Sequence, residues 1–127
     1  MNDERRTMNP AAPFDLVIRT RSFALRIIKL YAALPKTTEA QVIGKQILRS
    51  GTSVGAHYRE AKRSRSTAEF ISKIGGGLQE LEETQYWVEL LMESGIVRKE
   101  LLTGICEEVN ELMSILVASA KTAKTKK

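Results

Sequence analysis

Apolar residues return along this chain at intervals of three and four and never in sustained alternation, so the pattern predicts helices and no strand. Leu16, Phe23, Ile27, Leu30, Tyr31 and Leu34 form one such stripe, with Arg19, Arg26 and Lys29 on the wet side. This first helix is expected to run from near Phe14 to Pro35, whose ring disfavours helix in the residue before it. Thr38-Glu-Ala-Gln41 fits a capping box, in which the threonine oxygen takes one orphan amide and the glutamine reaches back to another. It predicts a second helix running to about Arg63. Ser66-Thr-Ala-Glu69 is a second box, followed by Ile71, Ile74, Leu78, Leu81, Val88 and Met92 on a third helix that Ser94-Gly95 should stop. That apolar register holds across Gly75, Gly76 and Gly77, so the helix is read as continuous through them. Leu102, Ile105, Val109, Leu112 and Leu116 define a last helix from about Arg98 to Ala120.

Short connections force successive helices to lie antiparallel. The expected fold is all-α, an antiparallel up-down-up-down four-helix bundle over residues 14–120. A flexible arm precedes it (1–13) and a frayed basic tail follows (121–127). A length of 127 residues suits one domain with a modest core. Cys106 is the single cysteine, so no internal disulfide can form, which fits a reduced compartment. The first residues carry charges but no apolar signal core, and no apolar run approaches bilayer length. The expectation is a cytoplasmic protein without a membrane segment.

Charge changes the picture more than composition does. Fourteen Lys and Arg against six Asp and Glu leave residues 1–73 at +8. Two against nine leave residues 74–120 at −7, and four lysines give the tail +4. Such asymmetry suits either a polyanion on the basic side or complementary packing between copies of the chain. On a wheel the second helix places Ile43, Ile47, Val54 and Ala61 on one side and Lys45, Arg49, Arg59 and Arg63 on the other. Lys62, Arg65 and Lys73 continue the cationic side. Planar guanidinium donors suit phosphate, and the nucleic-acid backbone offers a sequence-independent, salt-sensitive attraction. The competing reading is an ordinary solvated helix face. Tyr58 is the only aromatic residue within the basic stretch and borders the core, so stacking on bases, and with it sequence-specific recognition, is not expected from it.

Gly44, Gly51 and Gly55 form a strip with almost no side chain, which permits close approach of another backbone. Gly51 and Gly55 are therefore expected at a subunit contact. Trp87 and Leu91 join them because both fall off the main stripe of the third helix. Ser53, His57 and Glu60 imitate a hydrolase triad, but amides inside a helix are already bonded and offer no oxyanion site, so no catalytic residue is assigned. His57 is the only histidine, and Glu80, Glu82, Glu83, Glu89 and Glu93 lack the Glu-x-x-His partners of di-iron bundles; neither a metal nor a cofactor is expected. Gly75 to Gly77 lacks the preceding strand and following Lys-Ser or Lys-Thr of a phosphate loop, and reads as a close helix contact. Cys106 reads as a small core filler.

Phe14, the run Gln46-Ile-Leu-Arg49 leading into Ser53-Val-Gly-Ala, then Arg59-Glu60, Ala68-Glu-Phe70 and Glu80-Leu-Glu-Glu83 stand in an order and spacing that resembles the 23S ribosomal RNA intervening-sequence protein family. The likeness spans most of residues 14–118. It implies an antiparallel four-helix bundle assembled as a ring-like homopentamer, in a family some of whose members are encoded inside inserts of ribosomal RNA genes. A more distant likeness, of fold alone, is to the accessory protein of diversity-generating retroelements, which binds nucleic acid and a reverse transcriptase through a basic pentamer surface. This chain departs from the family where many members carry an asparagine before Ile-Ala-Glu-Gly; here the residues are His57-Tyr-Arg-Glu-Ala61.

Taken together, these residues point to a non-enzymatic, self-assembling bundle that holds RNA or DNA by phosphate contacts on its basic helix face. The alternative is an interaction scaffold or accessory subunit, whose charged faces pair with another copy or with a protein partner such as a reverse transcriptase.

Overall fold

The structure is a computed structural model that describes residues 15–125. Phe14, the arm over residues 1–13, and Lys126 and Lys127 lie outside the described residues. Four long helices, α1 (Leu16–Ala33), α2 (Thr38–Lys62), α3 (Thr67–Glu93) and α4 (Thr103–Thr125), are joined by short links, the last containing a 3-10 turn, Lys99–Leu101. No strand occurs among the described residues.

Local chemistry sets each boundary. The Asp15 carboxylate accepts from the Ile18 amide and opens α1. Thr37, rather than the expected Thr38, caps α2 by accepting from the Ala40 amide. Gln41 does not reach back to the cap. Its amide donates to the Pro35 carbonyl at 2.8 Å and its carbonyl accepts from the Tyr31 hydroxyl at 2.9 Å, which ties the α1–α2 turn shut. Ser66 caps α3 as expected, while Glu69 accepts from the amide of Arg65, one residue beyond the box position. After α3, Gly95 takes φ +78°, the left-handed conformation that favours glycine, and the Val97 amide turns back onto the Leu91 carbonyl. α4 begins later than expected, after the 3-10 turn, and runs past Ala120, so that Lys121 and Lys124 belong to a helix and not to a frayed tail.

Cross-helix contacts run in reversed order, which makes each neighbouring pair antiparallel. Along α1–α2, Tyr31 meets Gly44, Ile27 meets Gly51 and Thr20 meets Gly55. Along α2–α3, Ser50 bonds Thr84, His57 faces Glu80 and Glu60 pairs with Lys73. Gly77 lies under Leu116 on the α3–α4 seam, and Arg19 and Arg26 of α1 reach Glu108 and Gly104 of α4. The core is a column of Phe23, Ile27, Ile47, Val54, Ile74, Leu81, Val88, Leu91, Leu112 and Leu116, each fully buried. Burying a side chain of this size contributes very roughly 1.5–3 kcal/mol.

The buried stripe of α3 passes through Ile74, Gly77, Leu81, Thr84, Val88 and Leu91, not through Leu78 and Met92, which are half-buried. Thr84 makes this register invisible to an apolar count. Its hydroxyl donates to the Glu80 carbonyl at 2.8 Å and lies 2.7 Å from the Ser50 hydroxyl, so a polar pair sits satisfied inside the core.

Candidate nucleic-acid interface

Six of the seven cations read from the sequence, Lys45, Arg49, Arg59, Lys62, Arg63 and Arg65, are exposed, and Lys73 is half-buried. They do not act as one stripe. Arg49 is held by Glu83 and lies 3.7 Å from Glu80, both on α3, and Lys73 pairs with Glu60 at 3.1 Å. The Lys73 ammonium holds the Glu60 carboxyl below the usual carboxylate range; the Arg49 guanidinium, then the Trp87 indole, do so for Glu83. Arg49 and Lys73 are thus compensated within the subunit. Lys45 stands alone near the start of α2, about 20 Å along the axis from Arg59 at 1.5 Å per residue.

What remains is a compact group, Arg59, Lys62, Arg63 and Arg65, none of which makes an ion pair among the described residues. Their placement follows from α2 itself. Arg59 and Lys62 occupy its last turn and Arg63 is its C-cap, where the exposed carbonyl ends of the helix favour positive charge without a carboxylate. Arg65 follows in the turn. At the same end of the bundle Lys121 and Lys124 on the last turns of α4 are exposed and flank Thr122 and Ala123, which share a groove with Lys62 and Arg65.

That groove, of about 1030 Å³, opens between the end of α2, the start of α3 and the C-terminal turns of α4. Its cause is legible in α4, where Ser114, Ala118, Ser119, Thr122 and Ala123 are too small to close the end of the bundle. Tyr58 and Phe70, half-buried, form part of its wall. Burial pushes the Tyr58 phenol up, and the nearby Asp15 carboxylate adds to the shift. Phe70 was not a site residue in the sequence reading; the signal that could have found it is the run of small residues on α4 opposite two aromatics.

The 23S rRNA-intervening sequence protein family matches residues 14–118. The chain belongs to that family. A crystal structure of an S23 ribosomal protein family member of unknown function from Bacteroides thetaiotaomicron is similar to it, at 39% identity and a TM-score of 0.78, over 83% of this chain and 97% of that one. No curated protein matches the sequence.

Within this intervening-sequence fold, three of the residues expected between subunits are committed to the subunit's own packing. A methyl on Gly51 would come within 2.7 Å of Ile27 Cγ1, and one on Gly55 within 3.0 Å of Thr20 Oγ1, so both glycines let α1 approach α2. Leu91 is a core residue with no exposed surface. The expectation misplaced them because it took the glycine strip and the off-stripe position as outward-facing. Trp87 is half-buried against the core; its indole N–H donates to Glu83 at 3.2 Å and its ring meets Tyr86 edge-on at 5.0 Å. Tyr86, 54% exposed, is the residue that faces outward there.

The triad imitation comes apart in space. The Ser53 hydroxyl donates to the Arg49 carbonyl at 2.7 Å, Glu60 is paired with Lys73, and His57 lies 3.6 Å from Glu80 with its Nδ1 turned over Gly76. No group of three His, Cys, Asp or Glu that could hold a metal occurs among the described residues. Burial, followed by Glu89 and Glu107, pushes the Cys106 thiol up, away from the nucleophilic thiolate. No helix among the described residues is long and apolar enough to cross a membrane.

Proposed function

We propose that the chain is a non-enzymatic, cytoplasmic nucleic-acid-binding protein that docks RNA or DNA phosphates on the cationic end of the bundle. The observation that carries this is the cluster Arg59, Lys62, Arg63 and Arg65, four cations without ion pairs among the described residues, beside exposed Lys121 and Lys124. Carboxylates tie down Arg19, Arg49 and Lys73, whereas these four cations stand together at one end of the bundle, where a polyanion can reach them. Backbone contact of this kind is independent of sequence and screened by salt.

The test is fluorescence anisotropy with mixed-sequence RNA and DNA across a salt series. Four phosphate contacts predict a slope of log affinity against log salt near roughly −3 for a single strand. Replacing Arg59, Lys62, Arg63 and Arg65 by glutamine should flatten that slope and weaken binding on every sequence alike. Undetectable binding at low salt, or binding that the fourfold variant leaves intact, sinks the proposal.

Self-assembly is the second part of the reading, supported by a different surface. Ile18, Leu25 and Ile28 are each about half-exposed and, with Arg21 and Ala32, lie at heptad spacing on the side of α1 that faces away from the core. α3, diagonally across the bundle, presents Glu82, Tyr86, Glu89 and Glu93 outward. A basic and apolar face on one corner and an acidic face on the opposite corner suit a head-to-tail contact between copies, the kind that closes rings. The same faces could serve a scaffold that holds a protein partner such as a reverse transcriptase.

A further inference from the structure

We propose that the groove at the cationic end is a base-stacking site that selects unpaired over duplex nucleic acid. This rests on the phosphate-docking reading above and adds the ligand class. Tyr58 and Phe70 come from different helices, and neither the wheel nor the spacing of α2 would join them; the turn at residues 63–66 folds them into one wall. Lys62 and Arg65 line the same groove. An aromatic surface next to paired cationic donors is what single-strand binders use, since every base has a π-face and every nucleotide a phosphate. A duplex keeps its bases stacked on one another and can offer this groove only its backbone.

Lys62 and Arg65, both in the lining, favour a phosphate in the same groove as the two rings. Hydroxyls of Thr67 and Thr122 line the site and can donate to or accept from base edges and sugars without choosing one base, while those of Ser66 and Ser119 bond the Glu69 amide and the Ile115 carbonyl. At about 1030 Å³ the cleft is at the top of the size range of small-ligand sites.

The experiment compares a labelled eight-nucleotide RNA with a blunt-ended duplex at one salt concentration, using wild-type protein and two variants. Ala118→Trp fills the groove from its exposed side. Tyr58→Leu keeps apolar bulk and removes the ring. Wild type should prefer the single strand, and each variant should bind the octamer on the order of ten-fold more weakly while affinity for the blunt-ended duplex stays put. In the wild type, ring resonances of Tyr58 and Phe70 should shift on titration with the octamer.

Octamer binding equal in wild type and both folded variants overturns the groove proposal and leaves phosphate docking standing. Absence of binding to either nucleic acid by wild type overturns both. Palmitate binding that Ala118→Trp abolishes while octamer affinity holds identifies a lipid cleft and also overturns the proposal.

Discussion

Gly75 and Gly76 are neighbours on α3 with opposite reasons for carrying no side chain. A methyl on Gly75 would meet nothing within 4 Å, whereas one on Gly76 would come within 2.7 Å of His57 Nδ1. Gly75→Ala should therefore stabilise the protein by about 0.5–1 kcal/mol through helix propensity alone. Gly76→Ala gains the same propensity but drives a methyl into an imidazole, and overpacking of this kind costs about 1–3 kcal/mol. It should lower the urea midpoint, and adding His57→Ala should restore most of the loss. If both single variants shift stability the same way, Gly76 is not a packing glycine. That the triplet remains helical could be read from the apolar residues on either side of it. Which glycine bears the contact could not, because His57 arrives from α2, and its position depends on how α2 and α3 cross.

At the scale of elements, the α2–α3 seam carries three polar pairs: Arg49 on Glu83, Lys73 on Glu60, and Ser50 on Thr84. Glu60 and Glu83 titrate lower in the folded chain than in the unfolded one. Their stabilising contribution is complete above the ordinary glutamate pKa of about 4.3 and is lost as pH falls through the lower folded values. Stability should decline from about pH 5 downward, and the double variant Glu60→Gln/Glu83→Gln should decline less steeply. Urea midpoints measured between those limits check this; parallel curves for the two proteins would show that the pairs are solvated and inert, as many surface pairs are. The ends of α1, α2 and α3 were legible from caps and prolines to within about two residues, whereas α4 starts and stops about five residues later than its apolar stripe suggests. Thr84 defeated the same kind of reasoning, since a threonine counts as polar until Ser50 on another helix supplies its partner.

For the whole molecule, charge sorts onto separate surfaces: an acidic outer α3, a cationic end, and an outward α1 face that is apolar with Arg21 and Lys29 exposed on it. The self-assembly reading makes that α1 face the contact. Leu25→Glu/Ile28→Glu should then reduce the mass measured by light scattering to that of a single chain of 14.2 kDa, with little change in helix content. Affinity for long nucleic acids should fall with it, because linked copies raise effective concentration, while affinity for an octamer should not. A single-chain mass in the wild type would remove self-assembly and leave the cationic end unaffected.

Helix number, order and approximate length, the helix-bundle class and the division of charge were all determined by the sequence alone, because periodicity, caps and charge counts are properties of adjacent residues. The tertiary structure decided which cations are taken up in ion pairs, since Glu83 and Glu60 reach Arg49 and Lys73 only across a packed seam. It also decided that the glycine strip serves α1, and that Tyr58, Phe70 and the cationic turn face one groove beside the small residues of α4. Each of these depends on which helix lies beside which, and at what height. Spacing along a single helix carries no record of that.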